Sequence, residues 1–561
     1  MNGGQAIVKT LIKHKVSHTF GYPGGGIVPV FDALLDHSKK IKNILVRHEE
    51  GAVHMADGFA RATGTPGVCI ATSGPGASNL VTGMLTAWMD SSPIIAMAGQ
   101  VPFKLIGHEA FQEADMVDIA LHTCKKDFQI RHANEVFDVF NQAFRLSTEG
   151  RPGPVYIDLP KNAQEGKLTK KIPKKVPVSK PKFTGQLDKL KRTANLMLNA
   201  QTPVFLIGGG VLWANAANEF MKLVDLVKIP VITTLMAKSV FPDRHPLAFG
   251  MHGLYGTKTA AYALNNSDLV IAIGCRFSNR TIINPADFPK NRKIVHINVD
   301  KREINENVKT DIGIVGDARL VIMKLTEMIR KMAKSKERPW HKNLRTFMTK
   351  EREEFLDKDT KPISHKKVMF ELRKIIKDKD ILVTGVGNHQ MLAEHYIDRK
   401  YPRTFITSGG EGTMGFGLPA SIGAKVAMPN REVINFDGDG SFQMTMEELA
   451  VLAQENIKVT TILLKNHYLS MVRQWQEKIY GKKRRSAVFL ANKPSFSKIA
   501  EAYGLNGISV TRPSELGPAL RKAKKSKTST IVSVHTIPGE NYFPLTPPAI
   551  TEKDFRGKIV R

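Results

Sequence analysis

Asp439 and Asn466 are the two side chains whose types and spacing most directly indicate chemistry. Asp439 belongs to the segment Gly438-Asp439-Gly440-Ser441, which follows the apolar run VINF, and Asn466 follows the next apolar run, VTTILL. Glycines that flank an aspartate at a strand-to-helix turn let backbone N–H groups approach an anion. Mg²⁺ binds one or two protein oxygens together with phosphate and water. The spacing predicts a site for Mg²⁺ and a diphosphate, although either residue alone is more often an ordinary turn or an unrelated Asn.

This prediction requires two neighbouring parallel strands that end at the same edge of a sheet. Val- and Ile-rich segments alternate with helical segments in three blocks of the chain, which is typical of parallel sheets covered on both faces. The segment TMEE, Thr445 to Glu448, predicts a capping box at the start of a helix. We therefore expect an α/β protein with three consecutive doubly wound parallel-sheet domains. The outer two blocks are similar in size and pattern, which suggests a duplicated architecture.

Changes in composition along the chain predict the domain boundaries. The segment 166–185 is rich in Lys and Pro and has no acidic residue, so it is interpreted as an extended linker. A second charged segment, 336–361, is also interpreted as a linker. These predictions divide the chain into domains over 1–165, 186–335 and 362–540, with a C-terminal tail over 541–561.

The charge of the chain suggests a different class of function. Its 561 residues include 82 Lys and Arg against 52 Asp and Glu, a net charge of +30, and a basic surface can bind nucleic acid through phosphates. The basic residues concentrate in the segments 166–182, 329–339 and 521–527, which are interpreted as linkers and solvated faces. The sequence has no zinc-finger spacing, aromatic stacking platform or RNA-binding signature, so we expect no nucleic-acid partner.

Cysteine use and hydropathy indicate the compartment. The three cysteines, Cys69, Cys124 and Cys275, lack metal-ligand spacing and are too few for a disulfide scaffold. The first twenty or so residues lack the apolar stretch of a signal peptide. No apolar run approaches the ~18 residues that a bilayer span requires. We therefore expect a cytoplasmic protein with no membrane partner.

Further segments carry a resemblance to a known family. They are GYPGGGIVPVFDAL, RHEEGAVHMADGFARATG, TSGPGASNLVTGM, EAFQEADMV, GRPGPVYIDLPK, VGNHQM, GGEGTMGFGLPASIGA and SMVRQWQ. Together with GDGS and Asn466 they resemble the acetolactate synthase family of thiamine-diphosphate (ThDP) enzymes, in collinear order from Asn2 to Pro548. The resemblance implies ThDP, Mg²⁺ and a structural FAD, and domains that bind the ThDP pyrimidine, FAD and the diphosphate in that order. It also implies that pyruvate is decarboxylated and ligated to pyruvate or 2-oxobutyrate in branched-chain amino acid biosynthesis.

Glu49 is the catalytic residue that the resemblance implies. From the residues alone, Glu49 and its neighbour Glu50 are better explained as charges that complement the dipole at the start of a helix. The family motif makes Glu49 the carboxyl that hydrogen-bonds N1′ of the ThDP pyrimidine and tunes its proton. The other implied ThDP contacts are Gly25, Gly387, Asn388, His389, Gln390, Gly412, Met414, Gly438, Asp439, Gly440, Ser441, Asn466 and Tyr468. The implied metal ligands are Asp439, Asn466 and the backbone carbonyl of Tyr468.

The middle domain carries the implied FAD contacts. Gly208, Gly209 and Gly210 follow an apolar strand, but a dinucleotide fingerprint needs a further glycine where Trp213 stands, so we expect no ordinary nicotinamide site. The implied FAD contacts are Arg151, Gly208, Gly209, Gly210, Thr234, Leu235, Met236, Gly274, Arg276, Asn298 and Asp317.

The resemblance also implies a substrate channel. The residues that would line it are Phe111, Gln112, Lys161, Arg280, Met471 and Trp475. Arg280 would grip the carboxylate of the second 2-oxo acid, because guanidinium presents a bidentate fork. Trp475 would select an acceptor with an extra methylene, a discrimination worth about 1–3 kcal/mol. The basic segment 482–485, just after Trp475, would attract anionic substrates to the channel mouth.

Some positions depart from the family pattern, and they leave the substrate preference open. Leu254 and Tyr255 replace a Met-His pair, Ser278 and Asn279 replace an Asp pair, Asn298 replaces an acid, and Lys465, Ser470 and Glu411 replace Asn, Gly and Leu. One alternative is therefore a related ThDP enzyme that acts on another 2-oxo acid such as glyoxylate. For the assembly, the resemblance implies a homodimer or homotetramer with active sites shared between subunits, and it leaves a small regulatory subunit open.

Overall fold

The computed structural model describes residues 1–170, 173, 186–332, 338–353, 360–491 and 493–542. Three α/β domains follow one another, each built on a six-stranded sheet. Every strand pairing within these sheets is parallel. Successive residues of a central strand face different cores: Val68 and Ile70 belong to one apolar cluster, Cys69 and Ala71 to another. Both faces of the sheet are thus covered, and the predicted fold class is confirmed.

The N-terminal domain has the strand order β2-β1-β3-β4-β6-β5. Its strands are β1 His18–Gly21, β2 Lys42–Leu45, β3 Gly67–Ala71, β4 Ile94–Gln100, β5 Lys126–Gln129 and β6 Val155–Pro160. Its helices are α1 Gly3–Lys13, α2 Val28–Asp36, α3 Glu49–Thr63, α4 Pro75–Ser78, α5 Val81–Asp90, α6 Met116–Ala120, α7 Val136–Thr148 and α8 Lys161–Glu165, with 3₁₀ turns at Phe103–Leu105 and Ala133–Glu135.

The middle domain has the strand order β9-β8-β7-β10-β11-β12. Its strands are β7 Pro203–Ile207, β8 Val231–Thr233, β9 Ala248–Met251, β10 Leu269–Ile273, β11 Lys293–Asn298 and β12 Ile312–Val315. Its helices are α9 Leu187–Asn199, α10 Gly209–Trp213, α11 Ala217–Val227, α12 Lys258–Asn265, α13 Ala318–Met332 and α14 Trp340–Glu353, with 3₁₀ turns at Leu235–Ala237 and Lys301–Glu303. Counted from β7, this is the order 3-2-1-4-5-6 of dinucleotide-binding sheets.

The third domain has the strand order β14-β13-β15-β16-β18-β17. Its strands are β13 Ile381–Thr384, β14 Phe405–Ile406, β15 Val433–Gly438, β16 Thr460–Lys465, β17 Asn506–Val510 and β18 Thr530–His535. Its helices are α15 His365–Ile375, α16 Asn388–Tyr396, α17 Gly417–Ala427, α18 Asp439–Phe442, α19 Leu449–Gln454, α20 Ser470–Tyr480, α21 Phe496–Ala502 and α22 Pro513–Lys525, with a 3₁₀ turn at Met446–Glu448. Counted within each domain, the first and third sheets share the order 2-1-3-4-6-5, which agrees with the suggested duplication.

The first and third domains are joined through α3 and α17. The two helices pack backbone to backbone: a Cβ at Gly58 would lie 2.0 Å from the carbonyl oxygen of Ala420, and one at Gly423 would lie 1.8 Å from that of Met55. The buried Arg61 ion-pairs with Asp57 and Asp90 of its own domain and donates to the carbonyl of Thr407 at 2.6 Å. One apolar core therefore runs from the first domain into the third.

The structure differs from the sequence prediction at the segment 336–361. Helix α14 occupies much of it, and Trp340, Leu344 and Met348 pack into the core of the middle domain. This segment is therefore part of the middle domain's packing, because its apolar residues recur at helical spacing among the charges. Most of the predicted linker 166–185 and of the tail 541–561 lies outside the described residues. Among the described helices, none combines the length and apolarity needed to cross a membrane.

Candidate active site

Most of the candidate residues follow the carboxyl ends of parallel strands. In the first domain Gly25 follows β1, Glu49 follows β2, Phe111 and Gln112 follow β4, and Lys161 follows β6. In the third domain the candidates follow β13, β14, β15 and β16, and those of the middle domain end or follow β7, β8, β10, β11 and β12. Arg151 lies in the first domain, between α7 and β6. Loops at this edge are where open α/β sheets bind ligands.

Asp439 and Asn466 lie side by side at the ends of β15 and β16. The predicted adjacency of the two strands is confirmed by their pairing from Ile434 to Gly438. The Oδ2 atom of Asp439 accepts hydrogen bonds from the N–H groups of Asn466 at 3.1 Å and His467 at 2.7 Å. Burial raises the pKa of Asp439, and these N–H groups oppose that effect. The carboxylate is thus held in a fixed orientation.

A small cavity of about 60 Å³ opens beside this carboxylate. Among the sequence candidates, its lining includes Gly387, Asn388, His389, Met414, Gly438, Asp439, Gly440, Ser441, Asn466, Tyr468 and Met471. The glycines leave no room for side chains: a Cβ at Gly438 would lie 2.8 Å from Nδ1 of His389, and one at Gly440 would lie 2.5 Å from Cδ2 of Leu469. In the described chain, the buried Oδ1 atom of Asn388 has no hydrogen-bond partner. These features fit a cradle for a bound group such as a diphosphate.

The oxygen atoms at this point fit a hard cation. The side chain of Asn466 is oriented from both ends, because its Oδ1 accepts from the N–H of Tyr468 at 3.1 Å and its Nδ2 donates to Ser470 at 2.8 Å. The described residues contain no cluster of three or more His, Cys, Asp or Glu side chains that could hold a metal. A cation at Asp439 would therefore use neutral protein oxygens and phosphate, as Mg²⁺ does.

Glu49 begins α3 at the matching edge of the first sheet. It is 8 % exposed, and its Oε2 accepts a hydrogen bond from Asn79 at 3.0 Å. The α4 turn lies against it, because a Cβ at Gly76 would be 2.9 Å from Oε1 of Glu49. Gln112 borders the same turn, with its carbonyl 2.8 Å from a Cβ built at Gly74. Sequence reasoning did not identify Asn79, although it lies in the quoted segment TSGPGASNLVTGM.

The first domain does not complete the cradle around Asp439. In the described chain, the lining of that cavity comes from the third domain alone. On the first domain, Phe111 is 89 % exposed and Lys161 is half exposed, 3.8 Å from Glu165. Gly25 also lies in an open loop, with no atom within 4 Å of a Cβ built on it. One chain thus presents two separate half-sites.

The predicted capping box at Thr445 and Glu448 is wrong. The hydroxyl of Thr445 donates to the carbonyl of Gly415 at 2.7 Å, and no side chain caps this turn. The Oε1 atom of Glu448 instead accepts from the N–H groups of Arg47 at 3.1 Å and His48 at 3.0 Å, just before Glu49. Free N–H groups at a helix start attract a carboxylate, and here the carboxylate comes from another domain. Burial raises the pKa of Glu448 to about 8.

Arg280 joins the middle domain to the third. Its guanidinium donates to the carbonyl of Gly409 at 2.8 Å and to Oε1 of Gln390 at 3.2 Å, and it lies 3.6 Å from a Cβ built at Gly412. On α20, Trp475 meets the ring of Tyr255 edge-on, with centroids 6.4 Å apart. Gln390 and Gly412 therefore lie beside Arg280 rather than in the lining of the cavity around Asp439.

A cavity of about 1150 Å³ lies between the middle domain and loops of the first and third domains. It lies where the strand order reverses, between β7 and β10. Each residue implied as an FAD contact lines it, namely Arg151, Gly208, Gly209, Gly210, Thr234, Leu235, Met236, Gly274, Arg276, Asn298 and Asp317. The side chain of Asn298 forms bonds within the loop, donating to the carbonyl of Cys275 and accepting from the N–H of Asp300.

The size and charge of this cavity fit a dinucleotide. The backbones of two loops meet closely, since a Cβ at Gly208 would lie 2.3 Å from the carbonyl oxygen of Gly274. Burial and the neighbouring Arg276 together lower the pKa of Arg151 to about 10. Glu303 is 3.3 Å from Arg151 and offsets part of this positive charge. An anionic phosphate between the guanidinium groups would relieve their repulsion.

Family models match all three domains. They are the thiamine pyrophosphate enzyme N-terminal TPP binding domain over residues 1–119, the central domain over 190–325 and the C-terminal TPP binding domain over 385–534. The fold, the two half-sites and these matches define the class of thiamine pyrophosphate enzymes.

Relatives of nearly equal length narrow the class. The probable acetolactate synthase large subunit of Methanocaldococcus jannaschii is 44 % identical, over 98 % of this chain and 94 % of its own. That of Methanococcus aeolicus is 45 % identical, over 93 % of this chain and 90 % of its own. The acetolactate synthase isozyme 3 large subunit of Escherichia coli is 38 % identical, over 97 % and 96 %. The chain belongs to the acetolactate synthase large-subunit family.

Proposed function

We propose that this protein decarboxylates pyruvate and joins the remaining two-carbon unit to pyruvate or 2-oxobutyrate, a step of branched-chain amino acid biosynthesis. The observation that carries the proposal is the pair of half-sites, Glu49 on the first domain and Asp439 with Asn466 on the third. Both occupy the carboxyl edge of a sheet with the same strand order. The relatives named acetolactate synthase over nearly their whole length support this reaction.

Each half-site has a separate task. ThDP, when bound, supplies the electron sink that lets a carbon–carbon bond beside a carbonyl break and form. Glu49, oriented by Asn79, hydrogen-bonds N1′ of the pyrimidine and holds its proton. Asp439, Asn466 and the carbonyl of Tyr468 hold Mg²⁺, while the glycine turns at 387 and 438–440 offer N–H groups to the diphosphate. Met414 lies beside Gly440, with its Cε 3.6 Å from a Cβ built there, and supports the ThDP conformation.

The substrate residues bind and select the second 2-oxo acid. Arg280 is half-buried between two domains and presents its guanidinium for the carboxylate. Met471 and Trp475 form an apolar wall that favours an acceptor with an extra methylene. Phe111, Gln112 and Lys161 complete the channel from the first domain.

The active unit is a homodimer or a homotetramer. Enclosed ligand sites usually measure about 300–1,000 Å³, so a cavity of about 60 Å³ needs a second surface to enclose ThDP. Large apolar side chains are exposed near both half-sites, among them Phe111 at 89 %, Phe489 at 64 % and Met444 at 60 %. A partner subunit that brings its first domain to this cradle would complete the site and cover these side chains.

FAD occupies the middle cavity as a structural cofactor in this proposal. The cavity volume, the switch-point position and the two guanidinium groups support it. The absorbance spectrum of the purified protein checks it, because bound flavin absorbs visible light whereas ThDP does not. We place the protein in the cytoplasm. Because the relatives are named large subunits, we also propose a small regulatory subunit as a partner.

Product analysis tests the function. Purified protein with ThDP, Mg²⁺ and pyruvate should form 2-acetolactate, and added 2-oxobutyrate should yield 2-aceto-2-hydroxybutyrate. Chelation of Mg²⁺ should abolish both products. Turnover of glyoxylate without either product would favour the alternative ThDP enzyme, which would share the cofactor residues. Tight DNA binding with a steep salt dependence, and no carboligation, would favour the nucleic-acid alternative.

A further inference from the structure

The helix that carries Met471 and Trp475 is fastened by the C-terminal end of the described chain. We call residues 537–542 the strap. Arg473, which is 3 % exposed, donates at 2.6 Å to both the carbonyl of Gly539 and Oδ1 of Asn541. Gln474, which is 2 % exposed, donates to the carbonyl of Tyr542 and accepts from its N–H at 3.3 Å. The two polar residues that precede Trp475 are therefore engaged by the strap.

The strap is itself anchored to elements that form the candidate site. The N–H of Ile537 donates to the carbonyl of Ile363 at 3.0 Å, and Glu540 accepts from the N–H of His365 at 2.8 Å. The buried hydroxyl of Tyr542 bonds to His395 on α16. The same helix begins at Asn388, whose amide donates to Gln474 at 3.5 Å. Strap, α16 and α20 thus form one connected unit.

The exposure of α20 shows which side of the helix is held. Val472, Ile479 and Tyr480 are 46 %, 55 % and 69 % exposed, so this side of the helix has little packing in the described chain. The strap contacts lie on the opposite, buried side. Residues four apart share a helix face, so Met471 and Trp475 move together when the helix turns about its axis.

We propose that the strap is a positioning element that, through Arg473 and Gln474, sets the orientation of Trp475 and thereby the preference between acceptor 2-oxo acids. The inference rests on the proposed function and deepens it. Trp475 touches the acceptor, while Arg473, Gln474 and the strap act through the helix. Loss of the strap contacts should leave the cofactor half-sites intact and change chiefly the choice of acceptor.

A matched pair of variants on α20 tests the proposal. Gln474→Met removes the two hydrogen bonds to Tyr542, together with the longer one from Asn388, and keeps the length of the side chain. Gln476→Met, the control, removes a similar pair of bonds to Ser486 in a surface loop. With equal pyruvate and 2-oxobutyrate, Gln474→Met should shift the product ratio at least threefold and raise the KM for the acceptor more than it lowers kcat. Gln476→Met should leave the ratio within 1.5-fold of wild type.

Hydrogen exchange provides a readout that does not need activity. Exchange of the amides of residues 470–480 should become faster in Gln474→Met and stay unchanged in Gln476→Met. If Gln474→Met fails to fold, Asn541→Ala serves instead, because it removes one acceptor of Arg473 at the end of the described chain. An unchanged product ratio in a folded strap variant overturns the proposal. If the wild type forms neither product, the proposed function fails. In that case an unchanged hydrogen exchange rate over 470–480 in Gln474→Met would separately contradict the positioning role of the strap.

Discussion

A single hydroxyl helps to orient the candidate metal site. By the resemblance, Ser470 stands where the family has glycine, and its Oγ accepts from Nδ2 of Asn466 at 2.8 Å. This bond holds the nitrogen end of the Asn466 amide, so that Oδ1, which also accepts from the N–H of Tyr468, is oriented for a cation. A glycine at this position has no hydroxyl and could not accept this hydrogen bond. The departure from the family pattern therefore adds an interaction at the site.

We predict that Ser470→Ala weakens Mg²⁺ binding in the presence of ThDP by about tenfold, because groups that orient metal ligands typically contribute 10–100-fold in affinity. Isothermal titration with Mg²⁺ measures it. Ser497→Ala, in the first turn of α21, is the control, since among the described residues its hydroxyl bonds only to that of Ser495. Equal affinities in the two variants would contradict the role of Ser470.

We predict that Glu49→Gln lowers carboligation by roughly 10²–10⁴-fold, the usual contribution of a positioned acid–base group. Glu50→Gln is the control, because Glu50 lies 3.3 Å from Nε2 of His54 within the same helix and should matter little to the chemistry. Initial rates with saturating ThDP, together with circular dichroism, separate lost catalysis from lost folding. Full activity of Glu49→Gln would remove Glu49 from its assigned role.

At the level of elements, α3 is held at its start by a carboxylate from another domain. The Glu448 side chain accepts hydrogen bonds from the N–H groups of Arg47 and His48, directly before Glu49. Its Oε1 atom would lie 2.2 Å from a Cβ built at Gly51. The position of Glu49 thus depends on the third domain of its own chain. Burial raises the pKa of Glu448 to about 8, so the folded protein keeps this carboxyl protonated below that pH.

This raised pKa predicts a pH-dependent stability. The carboxyl has a pKa of about 4.3 when unfolded, so its stabilising protonated form is fully present below that pH and is lost as the pH rises through about 8. Glu448→Gln should therefore gain stability relative to wild type from pH 5 to 8, with no further gain above. Thermal melts across this range measure it. Glu501→Gln, at an exposed glutamate on α21, should show a constant difference from wild type.

The elements explain which predictions from sequence succeed. The two strands that carry Asp439 and Asn466 are predictable, because apolar runs separated by helical segments form neighbouring parallel strands. The Glu448 contact is not predictable, since its partners lie 400 residues away in sequence and the residues around Glu448 also match a local capping box. Helix α14 was missed because its charged composition resembles a linker, and only packing reveals its partners. The strap was missed because the predicted domain boundary at 540 divides it and because its partners on α20 lie 66 and 68 residues away. The quoted segment SMVRQWQ contains those two polar partners, but their burial is visible only in the structure.

At the level of the whole molecule, each chain carries two half-sites on different domains. The first domain presents Glu49, and the third presents Asp439 with a cavity lined by that domain alone in the described chain. Two-fold assembly would pair each half-site with the complementary half of the partner. The assembly therefore predicts a specific pattern of complementation.

We predict that two inactive variants, Glu49→Gln and Asp439→Asn, regain activity when they are mixed. A hybrid dimer has one site with both lesions and one with none, so random exchange in an equal mixture should restore about a quarter of wild-type activity. Unfolding and refolding the variants together, followed by a rate measurement, tests this. The control is each variant unfolded and refolded alone. No recovery in hybrids that form would place both half-sites of a working centre in one chain.

The strap also has an evolutionary consequence, because three of its bonds to α20 use main-chain atoms: the carbonyls of Gly539 and Tyr542 and the N–H of Tyr542. Side-chain substitutions along the strap leave those atoms in place, whereas inserting or deleting one residue between β18 and Gly539 shifts all of them out of register. Selection for one acceptor would then act on the length of this segment. Relatives with the same Trp but a strap of different length should differ in the amino acid precursors that they favour.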